Sequence, residues 1–356
     1  MLLSPELFRA DGGIARIMRV YLKALCEICG ADGHVDSLVL NDSPGGDRRL
    51  ERYSNQRLNR HVSCVGRKLR FLTQAIKLGR QSDILICGHL HHLPIARLAQ
   101  FFNPRLRYFL VAHGIEVWRP YNALERRALL RAHRILCVSE FTRRQMLRFL
   151  PTLPVTKIVV VPNALDPYFA RNSNPAFAGS LFAVPRILTV SRLTRADNYK
   201  GVDTLIEAMP RVRREYPIAR LRVVGQGDDL PRLQTLAATL GMSEAVDFTG
   251  QVDDETLRAE YETCDLFALP SRKEGFGLVY LEAMASGKAC IGARAGGAPE
   301  VIDPTVGQLV DYGNIPNLAT AIVELTRHPR DSEIVRQHAA AFAFPVFQQR
   351  LAAALN

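Results

Sequence analysis

Short apolar segments alternate with amphipathic segments along the chain, most clearly in its second half. The apolar segments predict buried strands at 186–191, 219–224, 246–249, 266–269 and 289–291. The segments between them have the periodicity of amphipathic helices, at 202–214, 230–240, 254–263 and 278–286. Strands that alternate with helices are typical of parallel βαβ units, so the pattern predicts an α/β fold.

The first half repeats this alternation less regularly, with short apolar segments at 84–87, 107–111 and 135–138. Between the halves, residues 163–185 are rich in Pro, Asn and Ala and lack periodicity, which is typical of a linker. We therefore predict two Rossmann-like domains, at 1–165 and 166–340. The helical segment at 341–356 is predicted to pack back on the first domain.

Doubly wound domains bind ligands in the crevice at the carboxyl ends of their parallel strands. If the strand ends of the two predicted domains face each other across a cleft, that cleft is the expected site. Residues that directly follow a predicted strand are therefore the first candidates for function.

The composition is that of a globular protein. Of the 356 residues, 47% are hydrophobic and 23% are charged, which excludes disordered and low-complexity classes. No run of about 18 apolar residues predicts a transmembrane helix. The first residues lack a basic region followed by a long apolar stretch, so we expect no signal peptide. The seven scattered cysteines are an odd number and fit reduced thiols in a cytoplasmic protein.

The net charge of +11 is concentrated in the first half of the chain. Residues 1–165 contain 26 Lys and Arg against 12 Asp and Glu, whereas the remaining residues contain 20 against 23. A basic half indicates an anionic partner, which can be a nucleic acid, a phosphorylated ligand or an anionic membrane.

Residues 66–80 predict a basic amphipathic helix, in which Leu69, Phe71, Leu72 and Ile76 lie among five Lys and Arg. Such a helix can rest on an anionic membrane, and each basic residue near the surface contributes about 1 kcal/mol. The alternative is a solvated basic face whose apolar side belongs to an ordinary core. We expect the membrane surface to be a partner.

Several strand ends carry residues that suit a phosphate ligand. Gly12 and Gly13 precede a helical segment, so their backbone can approach a ligand beside a helix N-terminus. Arg192 ends the first strand of the second domain and Lys200 precedes the next helix, and two such cations can neutralise a diphosphate. Gly225 begins a Gly-x-Gly turn that lacks the full dinucleotide spacing. Each signal taken alone also fits an ordinary turn or a surface charge.

The strongest local signal is the segment SRKEGFGLVYLEAMASG, in which a glycine-rich loop ends at Gly277 and a helix follows. Leu278 and Val279 begin that helix, so their backbone N–H groups lack helical partners and can bind a phosphate. Glu282 lies about one turn into the helix and can accept hydrogen bonds from ribose hydroxyls. Glu274, on the loop, can reach the hydroxyls of a sugar.

This segment, with its two glutamates eight residues apart, resembles the family 4 retaining glycosyltransferases of GT-B fold. The resemblance extends over nearly the whole chain. Further matching segments are DGG at 11–13, HGIEVW at 113–118, VSE at 138–140, PNA at 162–164, SR at 191–192, KG at 200–201 and GGAPE at 296–300.

The resemblance implies that a sugar is transferred, with its anomeric configuration kept, from a nucleoside-diphosphate sugar. Arg192 and Lys200 would hold the donor diphosphate, together with the backbone amides of Leu278 and Val279. The loop between Arg192 and Lys200 is longer than the usual form in this family.

The resemblance also implies contacts with the two sugars of the donor. Glu282 would bind the ribose, and Glu274 would bind the transferred sugar. In the first domain, Gly13 would approach the phosphates, and His113 would contact the donor sugar near the reacting centre.

No Asp-x-Asp pair, which usually holds a divalent metal in the other major transferase fold, occurs in the chain. We therefore expect no metal site and no cofactor, and we expect Arg192, Lys200 and a helix N-terminus to supply the positive charge. Retention can proceed through a covalent carboxylate intermediate or by front-side attack. No residue is indicated as the nucleophile, so we favour front-side attack.

The predicted function is that of a hexosyltransferase in bacterial surface polysaccharide or glycolipid synthesis. The donor would be a GDP- or UDP-sugar, with mannose or glucose favoured, and the acceptor a glycan or a polyprenyl- or lipid-linked sugar. The predicted location is cytoplasmic, peripheral on the inner face of the cell membrane. The sequence leaves open the base, the sugar, the acceptor, the linkage and the oligomeric state.

Two alternatives remain from the sequence. One is a basic protein that binds an anionic surface or a nucleic acid without catalysis, and the other is a different GT-B enzyme such as a phosphorylase or an epimerase. The basic segment 48–80 contains two aromatic residues and no RRM, KH or zinc-knuckle signature, so we expect no nucleic-acid partner.

Overall fold

The computed structural model describes residues 1–9, 12–170 and 185–356 of the chain. Asp11 and most of the predicted linker lie outside these residues. The chain forms two compact units. The first comprises Met1–Asp166 and Phe344–Asn356, and the second comprises Pro167–Ala343.

The first unit is built on a parallel sheet that has seven strands among the described residues, in the order β3-β2-β1-β4-β5-β6-β7. These strands are β1 (Leu2–Ser4), β2 (Val35–Val39), β3 (Leu58–Ser63), β4 (Ile84–Cys87), β5 (Arg107–Ala112), β6 (Arg134–Cys137) and β7 (Ile158–Val160). Its helices are α1 (Gly13–Ile28), α2 (Lys68–Gly79), α3 (Leu93–Phe102), α4 (Ala123–Arg131) and α5 (Glu140–Phe149).

The second unit has a parallel sheet with six strands in its described part, in the order β10-β9-β8-β11-β12-β13. These strands are β8 (Arg186–Val190), β9 (Arg220–Val224), β10 (Val246–Gly250), β11 (Leu266–Leu269), β12 (Ala289–Ala293) and β13 (Gly307–Val310). Its helices are α6 (Val202–Glu215), α7 (Leu230–Thr239), α8 (Asp254–Thr263), α9 (Leu278–Ala285), α10 (Ile315–Arg327) and α11 (Ser332–Ala340).

The last helix, α12 (Phe344–Leu355), belongs to the first unit. The rings of Phe347 on α12 and Tyr21 on α1 pack edge to face, with centroids 4.9 Å apart. Arg134, on β6, also donates a hydrogen bond of 2.7 Å to the carbonyl of Ala354. The predicted fold class, two parallel α/β units with a terminal helix that returns to the first, is therefore confirmed.

The burial of the central strands accounts for the short apolar segments of the sequence. In β5, β11 and β12 almost every residue is buried, as expected for parallel strands that helices cover on both faces. In each sheet the strand order reverses beside the first strand of the unit, between β1 and β4 and between β8 and β11. Such a switch point opens a crevice at the carboxyl ends of the two strands, which is where doubly wound folds bind ligands.

No helix in the described part of the chain has both the length and the apolar character needed to cross a membrane. The seven cysteines are all free thiols.

His92 couples the stability of the first unit to pH. Its ring packs on Phe71 at a centroid distance of 4.8 Å, and among the described residues its Nδ1 has no hydrogen-bond partner. Burial lowers the pKa of His92 to about 4 from 6.5. At pH values between about 4 and 6.5, His92 is protonated in the unfolded chain but not in the folded chain. Lowering the pH through this range therefore destabilises the fold.

We predict that His92→Leu reduces this acid sensitivity. The free energy of unfolding should fall less steeply between pH 6 and pH 5, by up to about 1.4 kcal/mol per pH unit. Urea denaturation at each pH measures this slope. The control is His328→Ala, at an exposed histidine of the second unit, which should keep the wild-type slope. An unchanged slope in His92→Leu would contradict the prediction.

Candidate active site

An ion pair between Lys200 and Glu274 lies at the switch point of the second sheet. Lys200 follows β8 and Glu274 follows β11, and these two strands are neighbours. The Lys200 Nζ donates to the Glu274 Oε2 at 2.7 Å, and both side chains are largely buried. The structure thus brings together two residues that are 74 positions apart and that the sequence analysis assigned to one ligand.

Two glycines hold the loop that carries Glu274. The backbone N–H of Gly297 donates to the carbonyl of Glu274 at 2.7 Å. A Cβ on Gly296 would lie 2.3 Å from that same carbonyl oxygen, and Gly296 has a φ of +62°. A side chain at residue 296 would therefore displace the loop. This glycine pair belongs to the GGAPE segment of the family resemblance, and the close approach to the Glu274 loop gives it a structural role.

The helix α9 begins directly after this loop. Gly277 is its N-cap, and Leu278 and Val279 are its first two residues, both half-buried. By helix geometry their N–H groups have no partner within the helix, and they lie at the positive end of its dipole. The beginning of α9 and Lys200 are therefore two sources of positive potential that adjoin the Glu274 loop.

Glu282 lies on α9 about one turn from its beginning and is 3% exposed. Its Oε2 accepts a hydrogen bond of 2.9 Å from the hydroxyl of Tyr261, on α8. The carboxylate is thus anchored by a buried phenol, a contact that the sequence analysis did not anticipate because α8 and α9 are separate elements. Such an anchor orients the carboxylate and limits which of its lone pairs a ligand can use.

Arg192 is held by Asp197, a residue that the sequence analysis missed. Arg192 is mostly exposed, and its guanidinium lies 3.1 Å from the buried Asp197 carboxylate. That carboxylate also accepts hydrogen bonds from Thr194, at 2.8 Å, and from the Tyr199 hydroxyl, at 2.7 Å. Burial, together with this hydrogen bond, raises the pKa of Tyr199. Through these contacts, Asp197 stabilises the long loop between Arg192 and Lys200.

Gly225 follows β9 and packs against the neighbouring strand end. Its N–H donates to the carbonyl of Gly250 at 2.9 Å. A Cβ built on it would lie 1.8 Å from the carbonyl oxygen of Ser191, and its φ is +141°. These contacts give Gly225 a structural role beside Ser191 and Arg192. Neither Lys200 nor Glu274 is among the contacts described for it.

In the first unit, Gly12 and Gly13 lie at the beginning of α1, beyond β1. Gly12 is the N-cap and Gly13 the first helical residue. A Cβ built on either one would meet no described atom within 4 Å. As far as the described residues extend, the backbone of these two glycines is accessible, as the predicted approach to a ligand requires.

His113 follows β5 in the same unit. Its Nε2 lies 3.0 Å from the carbonyl of Gly88, at the end of β4, so this nitrogen carries the proton and donates it. The Nδ1 is buried and has no hydrogen-bond partner among the described residues. Burial lowers the pKa of His113 to about 4, so the ring is neutral at pH 7 and its Nδ1 is a free acceptor.

The carboxylate of Glu116 orients the loop that carries His113. It accepts the backbone N–H of His113 at 2.6 Å and that of Gly114 at 3.2 Å. Burial raises the pKa of Glu116. Trp118, in the same motif, donates to Thr142 Oγ1 at 3.3 Å and packs on Phe141. Both residues thus hold the local structure through contacts within the unit.

The predicted residues lie on segments that follow strands of the two sheets. In the second unit, Lys200 and Glu274 are in direct contact, and α9, which carries Glu282, begins after the Glu274 loop. Arg192 lies on the loop that leads to Lys200. The first unit presents Gly12, Gly13 and His113 after β1 and β5. Among the described residues, no cluster of three or more His, Cys, Asp or Glu is arranged to hold a metal ion.

Both halves of the chain match family models. Residues 12–169 match the model described as Glycosyltransferase Family 4, and residues 184–328 match the one described as Glycosyl transferases group 1. The structure is similar to the Anabaena protein HepE in complex with UDP and glucose, with a TM-score of 0.79 and 20% identity over 99% of this chain and 98% of that one. It is equally similar to the sucrose-phosphate synthase of Thermosynechococcus elongatus, with a TM-score of 0.79 and 20% identity over 100% and 98%.

Two curated relatives illustrate the similarity in sequence. The GDP-mannose-dependent alpha-(1-6)-phosphatidylinositol monomannoside mannosyltransferase of Mycolicibacterium smegmatis is 40% identical over 154 residues, which are 41% of this chain and 40% of that protein. The alpha-maltose-1-phosphate synthase of Mycobacterium tuberculosis is 30% identical over 258 residues, 64% of this chain and 65% of that protein. The match thus spans about two fifths of the first relative's length.

The fold and the strand-end site define the class of the protein, which is that of the GT-B proteins with two Rossmann-like units. Within that class, the matches over both halves decide the family. The chain belongs to glycosyltransferase family 4.

We predict that Gly225→Ala destabilises the second unit, because the new methyl group would overlap the Ser191 carbonyl. The free energy of unfolding should fall by about 1–3 kcal/mol, the usual effect of strain at a special backbone position. Urea denaturation measures the loss. The matched control is Gly30→Ala, where a Cβ would meet nothing within 4 Å, and this variant should unfold like the wild type.

Proposed function

We propose that this protein is a retaining hexosyltransferase that uses a nucleoside-diphosphate sugar. The observation that carries the proposal is the Lys200–Glu274 ion pair beside the N-terminus of α9, at the switch point of the second sheet. A cation, a carboxylate and a helix N-terminus are what a diphosphate and its attached sugar require. Family membership supports this role for the same residues.

In the proposed donor complex, Lys200 and Arg192 bind the diphosphate with the amides of Leu278 and Val279. Lys200 then exchanges the Glu274 carboxylate for a phosphate oxygen, which frees Glu274 to accept hydrogen bonds from the hydroxyls of the transferred sugar. Glu282, oriented by Tyr261, binds the ribose. The positive groups act on the charge that develops on the leaving phosphate, where preorganised donors lower the barrier most.

In the first unit, the proposed contacts use the N-terminus of α1 and the neutral ring of His113. Gly13 lets the backbone approach the phosphates, because a Cβ built there meets no atom of the described residues within 4 Å. The unpartnered Nδ1 of His113 accepts a hydrogen bond from a hydroxyl of the donor sugar. Glu116 serves as the positioning residue for this histidine.

The donor is proposed to be a GDP- or UDP-hexose. The Mycolicibacterium smegmatis relative is named as GDP-mannose-dependent, which supports GDP-mannose. The structure of HepE in complex with UDP and glucose supports a UDP-sugar as the alternative.

The acceptor is proposed to be a glycolipid or a growing glycan, and the protein to lie on the inner face of the cell membrane. The support is the phosphatidylinositol mannoside in the name of the same relative. We further propose that transfer is independent of a metal and follows front-side attack, in which the leaving phosphate takes the proton of the acceptor hydroxyl.

The test is a thermal-shift series with GDP, UDP, ADP and TDP, without added metal and again with Mg²⁺. A nucleotide at 100 times its Kd should stabilise the wild type by about 2.7 kcal/mol. A shift with GDP alone indicates a mannosyl-type donor, and a shift with UDP alone indicates a glucosyl-, galactosyl- or N-acetylglucosaminyl-type donor. If no nucleotide shifts the wild type under either condition, the donor site is wrong and a non-catalytic anion-binding protein becomes the better account.

We predict that Arg192→Ala and Lys200→Gln each lower kcat by roughly 10²–10³, by analogy with the loss of one preorganised donor. Glu282→Gln should abolish the nucleotide-induced thermal shift and retain the hydrogen bond to Tyr261. Steady-state kinetics with the donor identified by thermal shift measure the first effect.

The control variant is Arg211→Ala, at an exposed arginine on α6 that lies outside the site. It should keep the wild-type kcat and thermal shift. Equal activity of Arg192→Ala, Lys200→Gln and this control would remove the proposed role of both cations.

A further inference from the structure

The first unit has an apolar groove that the proposed chemistry does not use. Its volume is about 710 Å³, and it lies between α2, α3 and α4. The aliphatic and aromatic residues that line it include Leu72, Ile95, Leu98, Phe101, Leu124 and Leu130. A groove of this size and composition is suited to hydrocarbon.

Large apolar side chains project into solvent on the same three helices. Leu69 on α2 is 79% exposed, Phe101 on α3 is 71% exposed and Leu124 on α4 is 64% exposed. Phe102 and Leu98, also on α3, are exposed as well. An apolar patch of this kind marks an interaction site, because soluble surfaces rarely group such residues.

The charge on these helices is predominantly positive. Over α2, α3 and α4, every residue of which the structure describes, seven residues are Lys or Arg and one, Glu125, is acidic. The groove itself is lined by Arg97, Arg127 and Arg131. The positive charge is therefore placed directly around the apolar residues.

The single acidic residue cannot offset this charge. Glu125 is 3% exposed and is paired with Arg119 at 2.7 Å. It also closes a capping box with Asn122 at the beginning of α4. No other carboxylate on the three helices can neutralise the remaining positive charges. These belong to Lys68, Arg70 and Lys77 on α2 and to the arginines of α3 and α4.

We propose that the face formed by α2, α3 and α4 docks on an anionic phospholipid bilayer. Leu69, Phe101 and Leu124 enter the acyl region, and the groove takes up acyl chain. The surrounding Lys and Arg contact the lipid phosphates. This inference rests on the proposed function, since it names the surface on which the glycolipid acceptor is reached.

The combination of groove and charge favours a bilayer over other anionic partners. A nucleic acid is bound by a basic groove whose aromatic side chains stack on bases, whereas the groove here is lined mainly by aliphatic side chains. A bilayer presents phosphates directly above hydrocarbon, and this face presents cations directly around apolar side chains. The two surfaces are therefore complementary in both charge and polarity.

The structure also revises the surface predicted from residues 66–80. The helix is shorter, since α2 spans Lys68–Gly79. Phe71 is buried in the core of the unit and faces away from the solvent, whereas Leu69 is exposed. The docking face therefore includes α3 and α4, and α2 supplies only one edge of it.

The experiment measures binding of the full chain to vesicles by co-sedimentation. The wild type should bind vesicles of phosphatidylcholine and phosphatidylglycerol at a ratio of about 7:3, and binding should weaken in high salt. It should bind far less to pure phosphatidylcholine. Equal binding to both compositions, or to neither, would overturn the proposal.

Two double variants separate the apolar and the charged contributions. Phe101→Ser with Leu124→Ser should raise the lipid concentration for half-maximal binding at least about tenfold, because buried apolar contacts are lost. Arg127→Gln with Arg131→Gln should raise it about 30-fold, the equivalent of two charges near a membrane surface.

Matched controls lie on the second unit. Ile218→Ser removes a side chain that is 62% exposed, and Arg211→Gln with Arg214→Gln removes two exposed arginines of α6. These controls should bind vesicles like the wild type. If they lose as much binding as the face variants, or if the face variants lose none, the proposed face is wrong.

Two further measurements distinguish the remaining outcomes. Size-exclusion chromatography tests whether the face is instead an interface between two copies, and a dimer that Phe101→Ser with Leu124→Ser converts to a monomer would overturn the bilayer assignment. The nucleotide thermal shift of the same variants should equal that of the wild type. Loss of vesicle binding with an intact shift supports the docking face, whereas an absent shift in the wild type with intact vesicle binding would refute only the proposed function.

Discussion

Two parallel strands, β8 and β11, pair with each other where the strand order of the second sheet reverses, and the arrangement of the site depends on this pairing. The loops that follow the two strands must diverge to opposite faces of the sheet, and the crevice between them is where Lys200 meets Glu274. The ion pair is thus a consequence of topology. Within the pair, each partner neutralises the charge of the other.

Both backbone and side-chain contacts hold the loops around this pair. Gly296 and Gly297 approach the Glu274 loop too closely for a side chain, and Gly225 does the same at Ser191. Asp197 gathers the long loop between Arg192 and Lys200 through one ion pair and two hydrogen bonds. Electrostatic stabilisation works best with groups that need no rearrangement during the reaction, and these contacts provide that rigidity.

The first unit has two surfaces of different chemical character. Its strand ends present two glycines at the beginning of α1 and a neutral His113 whose Nδ1 has no hydrogen-bond partner among the described residues, and both features suit a polar ligand. The face of α2, α3 and α4 combines a hydrocarbon-lined groove with uncompensated positive charge, which suits a lipid surface. The basic excess of the first half of the chain is therefore not a diffuse property, since part of it surrounds one apolar groove.

The amino-acid sequence by itself determined the α/β class, the two-unit organisation, the order of the central strands along the chain and the residues at their ends, because buried parallel strands and glycine-rich turns have local signatures. It did not reveal β3, whose residues are polar and partly exposed at the sheet edge, or the short strands β2, β7 and β13. Only the tertiary structure decided that Asp197 organises Arg192, that Tyr261 anchors Glu282, and that Phe71 faces the core while Leu69 faces solvent. Each of these depends on which elements pack together. Contacts between residues that are distant along the chain produce no periodic pattern in the sequence.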